Sequence, residues 1–318
     1  MSASRRRLAW LLTAALLAGA VAWAALDGSG HSTVRASAPA RAVAAVSDRA
    51  APHSPGSVAS ASPRATATAS TAPAAGGGAL APVEETGAPP TPVTTPTLPL
   101  AGRTITVDPG HNGGNFSHPR EIGRLVPDGN GVKVCDTTGT AAPDGYREAD
   151  FNWSVGRRLR ALLIAAGAKV VMTRASNDGV GPCVNERAAI GNRARSDAAI
   201  SIHGDGGPPG GSGFAVLLPA PIPGGGDGTI LAPSRRLGVD LRGTLLHAGL
   251  HTSTYDGRNG LAPRTDLGGL NLSRVPKVFV EVANMQNAAD EAPMERPAWR
   301  ELIARALLAG IERFLPAR

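Results

Sequence analysis

Aromatic residues are scarce in this chain: they make up 3% of its 318 residues, and none lies between Trp23 and Phe116. A stretch without large apolar side chains cannot bury enough surface to offset the entropy lost on ordering. Most of this stretch is Ala, Ser, Thr, Pro and Gly, a composition typical of extended tethers. We therefore predict a disordered linker over residues 27–100 and one folded domain over residues 101–318, which is long enough for a single core.

Long hydrophobic runs are also few, which excludes a membrane protein with several spans. One run, over residues 8–26, follows three consecutive arginines and has Thr13 as its only polar residue. This order is typical of an export signal, and about 20 apolar residues would also span a bilayer as a retained anchor. The sequence thus predicts a signal peptide or membrane anchor over residues 1–26. We expect the domain to lie in the periplasm or cell wall, secreted or tethered to the membrane.

Acidic residues are outnumbered, with 25 Asp and Glu against 32 Lys and Arg, and such a balance raises the question of a nucleic-acid partner. Seven of the arginines lie before Ala101, however, and the folded segment contains no basic run longer than two residues. A diffuse positive excess favours an anionic polymer or a membrane surface over a specific DNA site. We therefore predict no nucleic-acid partner.

Cysteine is nearly absent, since Cys135 and Cys183 are the only two in the chain. A zinc–thiolate site would require clustered cysteines, and these two are far apart in sequence. In an exported chain an even number of cysteines most simply forms disulfides. We predict one disulfide between them.

Hydrophobic periodicity alternates between strand and helix along the folded segment. This alternation predicts an α/β fold: a single domain with a mostly parallel twisted sheet of about six strands flanked by helices. Strands are predicted at 103–107, 169–173, 198–202, 214–218 and 278–282, and helices at 150–166, 185–195, 234–250 and 297–315.

Four residues with metal-binding or acid–base chemistry are expected at one edge of this sheet. His111 and His203 follow predicted strands, Glu281 ends another, and Glu148 immediately precedes the first long helix. Ligand sites in such folds form outside the carboxyl ends of the strands. Two imidazoles and a carboxylate are a common ligand set for catalytic zinc, and a further carboxylate can serve as a base for water. The residues alone indicate a metal site, and their long spacings match no local zinc motif.

Four segments of the folded region resemble, in order and spacing, the zinc-dependent N-acetylmuramoyl-L-alanine amidases, in particular the exported cell-wall enzymes of mycobacteria and other actinobacteria. These segments are TVDPGHNGG (106–114), READFNWSVGRRLRALLIAAGAKVVMTR (147–174), ERAAIGNRARSDAAISIHGDG (186–206) and LGGLNLSRVPKVFVEVANMQNAADE (267–291). The resemblance implies that His111, Glu148 and His203 bind Zn²⁺ and that Glu281 is the catalytic carboxylate. It also implies peptidoglycan or a muropeptide as substrate, cut at the amide between the lactyl group of N-acetylmuramic acid and L-alanine.

The chain departs from the family pattern beside two of these residues. The family's S-I-H-A-N reads Ser-Ile-His-Gly-Asp at 201–205, and its E-x-G-F-x-x-N reads Glu-Val-Ala-Asn-Met-Gln-Asn at 281–287. The four chemical positions are intact, whereas the neighbours that would contact substrate differ.

Two other functions remain open at this stage. A wall-binding or regulatory protein on the same fold would have lost a ligand or the base, and a zinc peptidase would cut within the stem peptide. We expect the protein to be a monomer.

Two further features carry expectations of their own. Asp108 lies close to His111 in sequence and could orient its imidazole, or could instead cap the turn that follows it. The segment 112–147 is long for a connection from strand to helix, and it could shape the cleft or be a stapled surface loop.

Overall fold

The computed structural model describes residues 98–223 and 226–317. The predicted leader and nearly all of the predicted linker lie outside these residues. Within the described part of the chain, no helix combines the length and apolar character needed to cross a membrane.

The described residues contain eight strands, of which six form the central sheet and two form a separate hairpin. They are β1 (Thr104–Pro109), β2 (Leu125–Pro127), β3 (Val132–Val134), β4 (Lys169–Met172), β5 (Ala198–Asp205), β6 (Ala215–Pro219), β7 (Leu261–Arg264) and β8 (Lys277–Asn284).

The central sheet has the order β4-β1-β5-β8-β6-β7. Strands β4, β1, β5 and β8 are parallel neighbours, whereas β6 runs antiparallel to β8 and parallel to β7. The predicted fold class and approximate strand number are therefore confirmed. Of the six strands in the central sheet, β7 alone has no counterpart among the predicted strands. Its four residues, Leu-Ala-Pro-Arg, lack alternation and β-branched side chains.

Seven α-helices lie within the described residues. They are α1 (Pro119–Ile122), α2 (Glu148–Ala165), α3 (Val184–Ala194), α4 (Leu231–His247), α5 (Gly268–Asn271), α6 (Ala288–Met294) and α7 (Pro297–Phe314). Helices α2 and α4 contact the sheet and pack against α7, while α3 and α5 contact each other and the sheet. The four long predicted helices are confirmed with ends displaced by at most three residues.

Side chains of β1 alternate between two environments, as the geometry of a strand requires. Ile105 and Val107 belong to the main hydrophobic core together with residues of α2, α4 and α7. Thr106 and Asp108 are also fully buried but polar, and the Thr106 hydroxyl lies 2.7 Å from that of Ser196. The apolar side of β1 therefore packs in the main core, while its polar side meets buried hydrogen-bonding partners.

Helix α2 begins two residues earlier than its periodicity predicts, at Glu148. Phe151, Val155 and Leu159 recur every four residues and are completely buried, so they hold the helix against the core. Glu148 lies in the first turn, where its negative charge is favoured by the helix dipole. The earlier start makes Glu148 part of the helix and fixes the direction of its side chain.

The segment between β1 and α2, residues 112–147, contains a 3-10 turn, helix α1 and the antiparallel hairpin β2–β3. The predicted disulfide is present and joins Cys135, just after β3, to Cys183, the N-terminal cap of α3. This segment is therefore covalently joined to the start of α3 and is not a free surface loop.

A buried ionic cluster surrounds Asp108. Its Oδ1 accepts hydrogen bonds from Thr173 Oγ1 at 2.7 Å and from Arg187 Nη1 at 2.9 Å. Its Oδ2 accepts from Ser201 Oγ at 2.9 Å and from Lys277 Nζ at 3.1 Å. Although burial opposes ionisation, the two cations and the hydrogen bonds lower the pKa of Asp108 far below its usual value. One carboxylate thus joins β1, β5, β8 and α3.

Replacing Asp108 by Asn should lower the free energy of unfolding by about 3–5 kcal/mol, because it leaves Arg187 and Lys277 buried without their common counter-charge. Denaturant unfolding of the variant measures this change. Asp178→Asn, at an exposed position, is the matched control and should be close to neutral. Equal effects of the two substitutions would contradict the role given to the cluster.

Candidate metal centre

His111, Glu148 and His203 are brought together at one edge of the sheet. Each offers a ligand atom, and these atoms all lie within 4.8 Å of one another. His111 follows β1, Glu148 opens α2, and His203 lies on β5, so three separate elements supply the set. The convergence predicted from the sequence is therefore found in the structure.

The predicted positions of His203 and Glu281 at strand ends are wrong in detail. Strand β5 continues to Asp205 and β8 to Asn284, so both residues lie within strands. They are paired across the parallel ladder, and the register shifts between His203 and Asp205. The apolar pattern ends before the strands do, because polar residues such as His203 and Glu281 occupy positions near the ends of β5 and β8.

The imidazole of His203 is closely surrounded. It stacks on Phe279 with ring centroids 3.8 Å apart, and it also lies close to Gly110, where an added Cβ would come within 1.9 Å of its ring. Its Nδ1 lies 2.8 Å from Glu148 Oε1. Burial lowers the pKa of His203, which favours the neutral ring that a metal requires.

The imidazole of His111 is oriented by the 112–147 segment. Its backbone has a left-handed φ of 56°, which turns the side chain back toward the sheet. Nδ1 lies 3.0 Å from Asp136 Oδ1 and 3.1 Å from the carbonyl oxygen of Thr137, while Nε2 lies 3.4 Å from Glu148 Oε1. Burial opposes a positive ring, but Glu148 and Asp136 outweigh it and raise the pKa of His111 to about 10.

Asp108 does not orient either imidazole, so that expectation is wrong. The side chain points to the α3 side of β1, where Arg187 and Lys277 hold it. The residue that contacts His111 is Asp136, which the sequence analysis did not single out.

The carboxylate of Glu148 is fixed by donors other than the histidines. Oε2 accepts a hydrogen bond from the backbone N–H of Thr140 at 2.9 Å, and Oε1 accepts one from Asn152 Nδ2 at 3.2 Å. Burial disfavours its charge, yet the two imidazoles lower the pKa of Glu148 well below its usual value. Glu148 is therefore held as an anion.

Glu281 has the opposite environment. Its Oε2 is buried and has no hydrogen-bond partner within the described residues. Burial, together with repulsion from Glu148 and Asp205, raises the pKa of Glu281 well above its usual value. A buried carboxylate with one uncommitted oxygen can exchange protons with a molecule in the cleft.

The two departures at 204 and 205 have local structural explanations. A Cβ at Gly204 would come within 3.0 Å of the side chains of both Met294 and Met285, so these methionines take the space of the alanine methyl. Asp205 accepts a hydrogen bond from the hydroxyl of Tyr255 at 2.6 Å. Neither change displaces His203.

A cleft of about 310 Å³ lies over the four residues. Its walls come from the sheet edge, from the 112–147 segment through Lys133, Val134 and Thr140, and from the α5 region through Leu267 and Gly268. The 112–147 segment therefore shapes the cleft, which is one of its two expected roles.

The donor set fits a divalent metal. Two imidazoles and one carboxylate converge, and the field of Glu148 and Asp136 that favours positive charge at His111 also favours a metal cation. Within the described part of the chain one other group, Asp144, Glu291 and Glu295, has this geometry, but it is all carboxylate and largely exposed.

Comparison with known proteins assigns the chain and its fold to one family. The family model described as N-acetylmuramoyl-L-alanine amidase matches residues 105–313, and the chain belongs to this family. The match covers β1 through nearly all of α7, so it includes all four site residues.

Three of the proteins that the chain resembles are mycobacterial. An N-acetylmuramoyl-L-alanine amidase of Mycobacterium tuberculosis is 42% identical over 217 residues, which are 68% of this chain and 88% of the relative. The crystal structure of the N-acetylmuramyl-L-alanine amidase Ami1 from Mycobacterium smegmatis is similar with a TM-score of 0.64 and 44% identity, covering 68% of this chain and 98% of that one. The apo form of Ami1 from Mycobacterium abscessus has a TM-score of 0.64 and 43% identity, with 68% and 99% covered.

Three residues that hold the site escaped the sequence analysis: Asp136, Thr140 and Asn152. Asn152 lies one turn after Glu148 on α2, a spacing that places both on one helix face, so this contact could have been inferred. Asp136 and Thr140 lie in the irregular part of the 112–147 segment, where no periodic pattern indicates direction. The position of Asp136 directly after Cys135 was the only signal available.

Gly110→Ala should disorder the metal centre, because the new Cβ would overlap the ring of His203. We expect weaker metal binding than in the parent protein, measured by chelator competition. Gly228→Ala is the matched control, since a Cβ there meets nothing within 4 Å. Parent-like metal affinity in Gly110→Ala would show that the ring has room to move.

Proposed function

We propose that the protein is a zinc-dependent N-acetylmuramoyl-L-alanine amidase in which His111, Glu148 and His203 hold the metal and Glu281 is the catalytic base. Membership of the amidase family supports the reaction class. The observation that carries the assignment of roles is the pair of unlike carboxylates: Glu148 is fully committed to the imidazoles and backbone, whereas Glu281 keeps one buried oxygen free.

Zinc is the metal that this donor set suits, because two imidazoles and a carboxylate leave a fourth position open. When bound, it supplies Lewis-acid activation of water and of the scissile carbonyl. The chain's own residues must then move the protons and hold the substrate.

Glu281 Oε2 accepts a proton from the attacking water as the bond between water oxygen and lactyl carbonyl carbon forms. The carboxyl then returns this proton to the amide nitrogen as the carbon–nitrogen bond breaks, so the amine of L-alanine leaves neutral. A raised pKa suits this double role, because a carboxylate that titrates nearer to neutrality both accepts and donates.

The two alternative functions differ from the proposed one in what they require of the site and in their products. A wall-binding or regulatory protein would have no need of a buried, unpartnered carboxylate beside a ligand set. A zinc peptidase would cut within the stem peptide and leave L-alanine attached to the lactyl group.

We place the enzyme outside the cytoplasm, acting on peptidoglycan or its muropeptides as a monomer. A disulfide-bonded domain fits an oxidising compartment. The apolar run at residues 8–26 provides the route of export, either as a cleaved signal or as an anchor.

Glu281→Gln should keep its metal and lose about 10²–10⁴-fold in turnover, because the amide cannot accept the proton of water. Release of stem peptide from a purified muropeptide, followed by mass spectrometry, measures turnover. Glu121→Gln, at an exposed position on α1, is the control. A parent-like rate in Glu281→Gln would remove Glu281 from the mechanism.

His203→Ala should lose the metal itself and with it the activity, as should treatment of the parent protein with a chelator followed by buffer exchange. Elemental analysis of the protein gives the zinc content. His247→Ala, at the exposed end of α4, should retain one zinc per chain. If the parent protein releases products in which L-alanine remains attached to the lactyl group of N-acetylmuramic acid, the zinc peptidase is the better assignment.

A further inference from the structure

Asp136 is the carboxylate of the 112–147 segment that contacts His111. It is 6% exposed, and its Oδ1 lies 3.0 Å from His111 Nδ1 and accepts a hydrogen bond from the backbone N–H of Thr137 at 2.8 Å. Its Oδ2 accepts a hydrogen bond from Arg187 Nη2 at 2.9 Å. All of these contacts fix its carboxylate in one orientation.

The surroundings of His111 Nδ1 determine where the ring carries a proton. Its two nearest neighbours, Asp136 Oδ1 and the Thr137 carbonyl oxygen, are acceptors, and the Thr137 hydroxyl lies farther away at 3.4 Å. Nδ1 is therefore a donor whether the ring is neutral or charged. Nε2, which faces Glu148 at 3.4 Å, is then the nitrogen left to bind a metal.

Arg187 holds both ends of this arrangement. Its Nη2 donates to Asp136 and to the backbone carbonyl of His111 at 3.0 Å, and its Nη1 donates to Asp108 and to the carbonyl of Pro109. The guanidinium therefore fixes the backbone of His111 and, through Asp136, its ring. The disulfide joins Cys135, the neighbour of Asp136, to the start of the helix that carries Arg187.

We propose that Asp136 is a positioning residue for the metal centre: it fixes the tautomer and orientation of His111, and this makes the 112–147 segment part of the metal site. The inference rests on the proposed zinc site and adds to it a residue from outside the sheet. Hydrogen-bond partners of metal-binding histidines contribute about 10–100-fold to metal affinity in other proteins.

The test is zinc affinity, measured without substrate by chelator competition on the full-length chain. Asp136→Ala should raise the zinc dissociation constant about 10–100-fold. Asp136→Asn should have a smaller effect, because its amide oxygen still accepts from Nδ1–H while the charge is lost. In the zinc-loaded parent protein, nitrogen-resolved NMR should show a slowly exchanging Nδ1–H proton of His111, and this signal should be lost in Asp136→Ala.

Asp128→Asn is the matched control, because Asp128 is also buried in the β2–β3 hairpin but bonds only to the hairpin turn, at the N–H of Asn130. It should bind zinc as the parent does. Equal weakening by Asp128→Asn would assign the effect to loss of hairpin structure and would overturn the proposal.

A zinc dissociation constant within twofold of the parent value in Asp136→Ala would also overturn it. If the alanine variant does not fold, Asp136→Leu, which is closer in shape and cannot accept from Nδ1–H, decides by the same criterion. If the parent protein binds no zinc, the metal assignment of the proposed function fails. If it binds zinc without cleaving the muropeptide, only the proposed reaction fails.

Discussion

The ion pairs of Arg187 are the interaction on which the rest of the structure depends. A buried guanidinium is tolerable only where carboxylates meet it, and here it meets two, Asp108 on β1 and Asp136 after β3. Burial opposes every charge in the cluster, yet mutual attraction raises the pKa of Arg187 and lowers that of Asp136 to about 2. With Lys277 as a second cation, two positive and two negative groups balance inside the protein. The sheet, the α3 layer and the 112–147 segment share this single cluster.

In the candidate metal centre, too, neighbouring groups determine the charge of buried carboxyl groups, but the pKa values of its two glutamates shift in opposite directions. Glu148 is surrounded by donors and imidazoles, which hold it ionised. Glu281, on β8, has no donor to its Oε2 within the described residues, and burial with repulsion from Glu148 and Asp205 raises its pKa well above the usual value. Two carboxyl groups of one site, one on a helix and one on a strand, thus acquire different proton affinities from their surroundings.

The fold could be predicted from the sequence because hydrophobic periodicity is a local property. That His111, Glu148, His203 and Glu281 lie together could be predicted from their places near the ends of strands and helices and from the motifs that contain them. It failed where direction depends on tertiary contacts. Asp108 is three residues from His111, but strand alternation turns its side chain to α3, so proximity in sequence misled. Asp136 lies 25 positions after His111, beyond α1 and the β2–β3 hairpin, and only the folded structure brings the two together. A related reason explains the strand positions of His203 and Glu281. A polar residue interrupts the apolar pattern of a strand but not its backbone hydrogen bonds, so both residues were expected at strand ends and lie within strands.

The order of the strands along the chain also differs from their order in space. The three residues of the candidate ligand set, His111, Glu148 and His203, all precede Asp205, whereas Glu281 lies on β8, which is between β5 and β6 in the sheet. During synthesis from the N-terminus, His111, Glu148 and His203 therefore emerge before Glu281. The cleft lined by all four residues is complete only when β8, one of the last strands in the chain, inserts between β5 and β6.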